Sequence, residues 1–203
     1  MAIQTIKWSG DSIKIIDQTL LPGKLVYLKF RDVKKFWHAI KKLQVRGAPA
    51  LGVAAAYGAY LGIRGSRAKD YAGFIRDLDK AIKFVGSARP TAVNLFWGLD
   101  RMKAAAVRNR NKPVASIKKA LLAEAHKIYE EDRAICRKMA GHGARLIKNG
   151  DVVLTHCNAG ALATADYGTA LGVLYRAKED GKKFRVYADE TRPLLQGARL
   201  TTW

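Results

Sequence analysis

Over the first thirty residues, apolar and polar side chains alternate. Residues 3–8 (IQTIKW), 12–17 (SIKIID) and 24–30 (KLVYLKF) place β-branched or aromatic residues at nearly every second position, with turn residues SGDS and LLPGK between them. Such a period predicts a small antiparallel sheet. From Asp32 the period lengthens: Val33, Phe36, Trp37, Ile40 and Leu43 fall on one helical face, leaving Lys34, Lys35, Lys41 and Lys42 for solvent. Further helical runs are expected over residues 49–63, 71–85, 92–107 and 114–147, broken by GIRGSRAKD, GSARPT and NRNKP. At Asp151 the pattern changes again. DVVLTHC reads as a short apolar strand, residues 161–179 as a helix, and KFRVYADE as a second strand, the βαβ order of a parallel sheet. The expected fold class is therefore α/β. Residues 1–149 form a small N-terminal antiparallel sheet plus a helical domain, and residues 150–203 form the first part of a Rossmann-like parallel domain. That second domain is expected to be incomplete, with an unpaired sheet edge, because two parallel strands alone are rarely buried on both faces.

Composition narrows the class. The chain has 203 residues, 49% of them hydrophobic and 27% charged, which excludes a disordered or fibrous protein. Two cysteines are too few for the disulfide framework of a small secreted domain, and no basic-then-apolar leader opens the chain, so the cytoplasm is the expected compartment. The longest uncharged stretch, residues 47–63, contains Pro49, Gly52, Gly58 and Gly62 and is mostly alanine. It falls short of the roughly 20 strongly apolar residues of a membrane span and reads as a buried helix. Lys and Arg number 37 against 17 Asp and Glu, giving +20, and the excess lies in the helical first three quarters. That balance favours anionic partners. The aromatic residues Phe36, Trp37, Phe96 and Trp97 sit on apolar helix faces and not between basic residues, so nucleic acid is not the expected partner.

Three places carry candidate chemistry. In VRGAPALG, Arg46 and Gly47 precede a helix with Pro49 in its first turn. The free N–H groups of Gly47 and Ala48 then lie at the positive end of the helix, where an anion is stabilised, and Arg46 adds a charge-assisted pair. In ARPTAVN, Arg89 stands before another helix start, with Thr91 available as its cap. In VVLTHCNAG, Cys157 ends a strand and is expected to open a helix whose backbone donors favour thiolate character. Each pattern also fits a plain structural part: a solvated arginine, a capped helix, a packed thiol. The exit from the second strand adds Asp189, Glu190, Arg192, Gln196 and Arg199, a dense polar cluster that a solvated loop would also show. Cys136, in mid-helix, is expected in the core. His126, His142 and His156 are too widely spaced to form a metal site, and no metal or cofactor is expected.

Taken together, RGAPALGVAAAYG, RPTAVNLFWGLDRM, LTHCNAGALATADYGTALGV and VYADETRPLLQGARLT resemble methylthioribose-1-phosphate isomerases. These belong to the superfamily that includes regulatory subunits of the translation-initiation guanine-nucleotide exchange factor. The resemblance runs the length of the chain and implies a metal-free aldose–ketose isomerisation of 5-methylthioribose 1-phosphate to 5-methylthioribulose 1-phosphate in methionine salvage. It assigns Cys157 to catalysis and Arg46, Gly47, Ala48, Arg89 and Gln196 to substrate binding. It also places the catalytic aspartate beyond Trp203, so the 203 residues alone are expected to be inactive, and implies a homodimer at full length. Ala159 and Ala161 stand where that family often has hydroxyl residues, and Asp166 where glycine is frequent. The alternatives are isomerases of 5-deoxyribose 1-phosphate or ribose 1,5-bisphosphate, and a non-catalytic, translation-factor-like or RNA-binding module.

Overall fold

The computed structural model describes residues 3–203. Its first element is a three-stranded antiparallel sheet of β1 (Ile6–Ser9), β2 (Ser12–Ile16) and β3 (Tyr27–Phe30), with β2 in the middle. Register pairs Ile6 with Ile15 and Ile13 with Phe30, so the alternation seen in the sequence becomes one face against the core. α1 (Val33–Lys41) begins where Asp32 accepts a hydrogen bond from the Lys35 N–H at 2.9 Å. It buries Phe36, Ala39 and Ile40. Leu43, expected as the last residue of that face, lies outside the helix at φ +61°. There the N–H groups of Leu43 and Gln44 bond back to the carbonyls of Ile40 and Ala39, a Schellman stop in which leucine occupies the left-handed position that glycine usually takes.

α2 (Ala48–Ile63) is the axis of the helical part. It is buried nearly all round, as its alanine-rich sequence requires. α1, α3 (Tyr71–Gly86), α4 (Val93–Arg108) and α5 (Val114–Ala144) pack about it, and Tyr57, Phe74, Leu78 and Leu95 are among the largest fully buried side chains. α2 and α4 cross closely, because a Cβ on Gly98 would stand 2.5 Å from the Gly52 carbonyl oxygen. α4 differs from expectation at its start: Ala92, not Thr91, is the capping residue, and no side chain closes the turn. No helix among the described residues is long and apolar enough to cross a membrane.

The last part carries β4 (Val152–His156), α6 (Ala170–Glu179) and β5 (Arg185–Asp189), with β4 and β5 paired in parallel from Val152↔Arg185 to His156↔Asp189. The fold is thus mixed α/β: a small antiparallel sheet, a helical bulk and a parallel pair. The helix expected over residues 161–179 is broken. Only Ala161–Ala163 forms a short 3-10 turn, and α6 starts at Ala170. Gly168, at φ +94°, returns the chain against Gly160, where a Cβ on Gly168 would meet the Gly160 backbone at 2.6 Å. Buried polar ties hold the loop in place of a helix. Thr5 Oγ1 donates to the Ala161 carbonyl at 2.6 Å, Gln18 Nε2 to the Leu162 carbonyl at 2.7 Å, and Ala165 N–H to Asp132 Oδ2 at 2.7 Å. Asp166, 2% exposed, receives Arg133 Nε at 2.7 Å and Arg137 Nη1 at 2.9 Å from α5. Cys136 is in the core as expected, and burial pushes its thiol up to about 11.

Candidate active site

The broken helix changes the setting of Cys157. The thirteenth residue after it, Ala170, is the first of α6, so α6 does not open at the cysteine as the sequence pattern suggested. Instead Cys157 sits at φ +60°, a conformation rare for a residue with a side chain. Its carbonyl accepts from Thr201 Oγ1, which in turn accepts from Asn158 Nδ2 at 3.2 Å. Among the described residues, three that are not glycine have positive φ: Leu43, Cys157 and Leu195. Leu43 and Cys157 line one cavity, and Leu195 lies between two further lining residues, Leu194 and Gln196. Strained backbone is therefore concentrated around a single cleft.

That cleft has a volume of about 200 Å³. Arg46, Gly47, Arg89, Cys157 and Gln196, drawn from four separate stretches of sequence, all line it. Ala48 does not; it is the first residue of α2 with an exposed side chain, and offers only its N–H. Gly47 also has a packing role. It adopts φ +101°, and a Cβ there would stand 2.3 Å from the Ala163 Cα, so glycine is required for α2 to dock against the cysteine loop.

Unpaired polar atoms set this cleft apart from the other cavities. Among the described residues, the buried side-chain nitrogens and oxygens without a hydrogen-bond partner are Gln18 Oε1, Arg46 Nε and Arg89 Nη1, and all three residues line it. A desolvated donor nitrogen without an acceptor is costly, and one on each of two arginines in one cleft suits an anion. Arg46 is held below the ordinary guanidinium range first by burial and then by the nearby charge of Arg199, with Cys157 acting in the opposite direction. Arg199 itself is tied down by the carbonyls of Leu21 and Thr19, at 3.2 and 2.7 Å.

Gln196 is oriented by Thr191, whose hydroxyl donates to Gln196 Oε1 and accepts the Gln196 N–H at 3.2 Å. Its amide N–H groups are left for the cleft. Glu190 organises the same segment. Its carboxylate accepts the N–H groups of Ala198, Thr191 and Gly197, which hold it below the usual carboxylate range, Ala198 contributing most. It thereby starts the π-helical turn Gly197–Thr201. Asp189 lies elsewhere, 3.7 Å from His156 Nδ1 on the exposed ends of β4 and β5. The residue that sequence reasoning missed is Gln18, 0% exposed in the floor of the cleft. The available signal was a polar pair, Asp17 and Gln18, directly after the apolar end of β2.

The cleft lies where a parallel strand ends, the place at which open α/β sheets take their ligands. The chain belongs to the initiation factor 2 subunit family, whose pattern matches residues 44–203. Among its relatives, a 5-deoxyribose 1-phosphate isomerase of Moorella thermoacetica is 54% identical over 99% of this chain and 57% of its own length. A methylthioribose-1-phosphate isomerase of Geobacter sulfurreducens is 51% identical over 100% of this chain and 59% of its own. The crystal structure of 5-methylthioribose 1-phosphate isomerase from Pyrococcus horikoshii OT3 superposes with a TM-score of 0.91 at 40% identity, covering 98% of this chain and 56% of that one. One described as translation initiation factor eIF-2B, subunit delta, from A. fulgidus superposes at 0.88 with 51% identity, covering 99% and 58%. The chain thus spans just under three fifths of the length of these relatives.

Proposed function

We propose that this chain carries the phosphate-gripping half of an aldose–ketose isomerase that converts 5-methylthioribose 1-phosphate to 5-methylthioribulose 1-phosphate. The observation that carries the reading is the pair of buried, unpartnered guanidinium nitrogens of Arg46 and Arg89 in residues that line one cleft with Cys157. The reaction breaks the bond between C1 and the ring oxygen, moves hydrogen from C2 to C1, and transfers a proton from the C2 hydroxyl to the former ring oxygen. Arg46 and Arg89 hold the dianion, with the N–H groups of Gly47 and Ala48 at the positive end of α2. Gln196 donates to a sugar oxygen, and the Cys157 thiol stands beside the reacting carbons to stabilise charge or take part in the hydrogen transfer. The proton donor is assigned to the aspartate that the resemblance puts beyond Trp203. A homodimer at full length, a cytoplasmic location and a place in methionine salvage complete the proposal.

The cleft also bears on the 5-substituent. Apart from Asn158, its remaining wall is Leu43, Leu162, Ala163, Leu194 and Leu200, a mostly apolar lining that suits methylthio or methyl better than a second phosphate. The Moorella relative's name makes 5-deoxyribose 1-phosphate the second reading. The test is turnover of the methylthio, deoxy and bisphosphate sugars by the full-length protein, followed by the new ketose carbon in NMR. Conversion of the first, and its loss in Cys157→Ser, supports the proposal. Binding of all three without conversion of any would contradict it.

A further inference from the structure

Gln18 differs in kind from the arginines and Gln196 that line the cleft with it. Arg46 Nε, Arg89 Nη1 and the Gln196 amide are donors, suited to a phosphate or to any sugar oxygen. Gln18 presents an acceptor. Its side chain is 0% exposed, and its Nε2 is spent on the Leu162 carbonyl at 2.7 Å. That bond leaves Oε1 buried and unpartnered, in a residue that lines the cleft. The backbone is equally fixed, with Gln18 N–H donating to the Gln44 carbonyl at 3.1 Å. Arg46 Nη2, at 3.5 Å from the Gln18 main-chain carbonyl, lies beside the same residue.

A buried carbonyl oxygen is satisfied only by a donor, and a phosphate dianion has none. We infer that Gln18 is a specificity-determining residue, its Oε1 accepting a hydrogen bond from a hydroxyl of the sugar while the arginines hold the phosphate. The inference rests on the sugar-phosphate reading above: the arginine donors suit the phosphate, and one rigid acceptor demands a hydroxyl-bearing ligand. Free phosphate, or a sugar phosphate stripped of that hydroxyl, leaves Oε1 desolvated and unpaired. A site built to bond a hydroxyl rejects the analogue lacking it for this reason.

Calorimetric titrations with ribose 1-phosphate, 2-deoxyribose 1-phosphate, a 3-deoxy analogue and inorganic phosphate test the inference on the unaltered protein. Ribose 1-phosphate is expected to bind about tenfold or more tightly than one of the two deoxy sugars. Gln18→Met, close to glutamine in shape, removes the acceptor together with the Nε2 tie to Leu162, and is expected to erase that preference while inorganic phosphate still binds. Equal affinities for all three sugars in the unaltered protein would overturn the inference even if the variant failed to fold, and so would a preference that survives Gln18→Met. If no sugar phosphate binds more tightly than inorganic phosphate, the functional reading itself falls and takes this inference with it.

Discussion

The wall of the cleft that carries Arg46 hangs on α2, a sixteen-residue helix buried nearly all round, whereas the wall that carries Cys157 has one 3-10 turn between residues 157 and 169. The first is placed by apolar packing, which is non-directional and spread over many residues. The second is placed by a few directed bonds: Thr5, Gln18 and Asp132 to its backbone, and Arg133 and Arg137 to Asp166. The two meet at Gly47 and Ala163, where backbone touches backbone. The difference teaches that the anion-holding wall draws its rigidity from the core, while the wall presenting the thiol depends on separate polar ties, each of which can be cut alone.

Cutting the joint itself has the largest expected effect. Gly47→Ala combines a positive φ with a Cβ 2.3 Å from Ala163, and is expected to cost about 3 kcal/mol or more and to abolish sugar-phosphate binding. Gly10→Ala is the control: φ is again positive at +62°, but no atom lies within 4 Å, so about 1 kcal/mol is expected. Thermal melts of the two variants measure the difference.

Next comes the main tie of the loop. Asp166→Asn removes the charge that Arg133 and Arg137 share, and both arginines are partly exposed, so about 2–3 kcal/mol is expected rather than the full cost of a buried pair. Because the tie belongs to the cysteine wall, Cys157 should also react faster with iodoacetamide in this variant. The arginine wall should behave in the opposite way. Arg89→Ala removes a partly exposed cation with one buried, unpaired nitrogen, so the unliganded protein should melt no lower, while affinity for a sugar phosphate falls about 10- to 100-fold in calorimetry.

The smallest effect is on Asp132. Burial first, and Asp166 second, raise its carboxyl above the usual range, against the Ala165 N–H that it accepts. The folded chain therefore keeps this proton to a higher pH than the unfolded chain does, and stability is lost as pH rises through that window. Asp132→Asn retains an acceptor for Ala165 and cannot ionise. It should melt higher than the parent at about pH 7, with the gain vanishing below about pH 4, where both states of the parent are protonated.

The helical wall was legible in the sequence because its signals are local. The 3.6-residue period, the alanine-rich run and the arginine before each helix start all lie within a few residues of what they determine. The cysteine wall was legible only as a motif. Residues 161–179 have helical composition, and what breaks the helix is a set of partners between 12 and 156 residues away: Thr5, Gln18, Arg133, Arg137 and, for Tyr167, Glu179. Asp166, read as a departure at a glycine position, is such an anchor. The left-handed stop at Leu43 was hidden by its apolar side chain, since the face of α1 predicts a leucine there and no glycine marks the turn. Gln18 was missed because a lone glutamine after a strand has no pattern, and its meaning comes only from burial.

The account's central claim is that one sugar phosphate lies between the arginines and Cys157, and alkylation of that cysteine tests it directly. Cys136, 1% exposed, serves as the internal control. With iodoacetamide and mass spectrometry of the two cysteine peptides, 5-methylthioribose 1-phosphate is expected to slow modification of Cys157 about tenfold at saturation and to leave Cys136 unmodified. The protection should vanish in Arg89→Ala at the same ligand concentration. Modification of Cys157 at one rate with and without the sugar phosphate would contradict the placement of the substrate, and with it the reading of this cleft as an isomerase site.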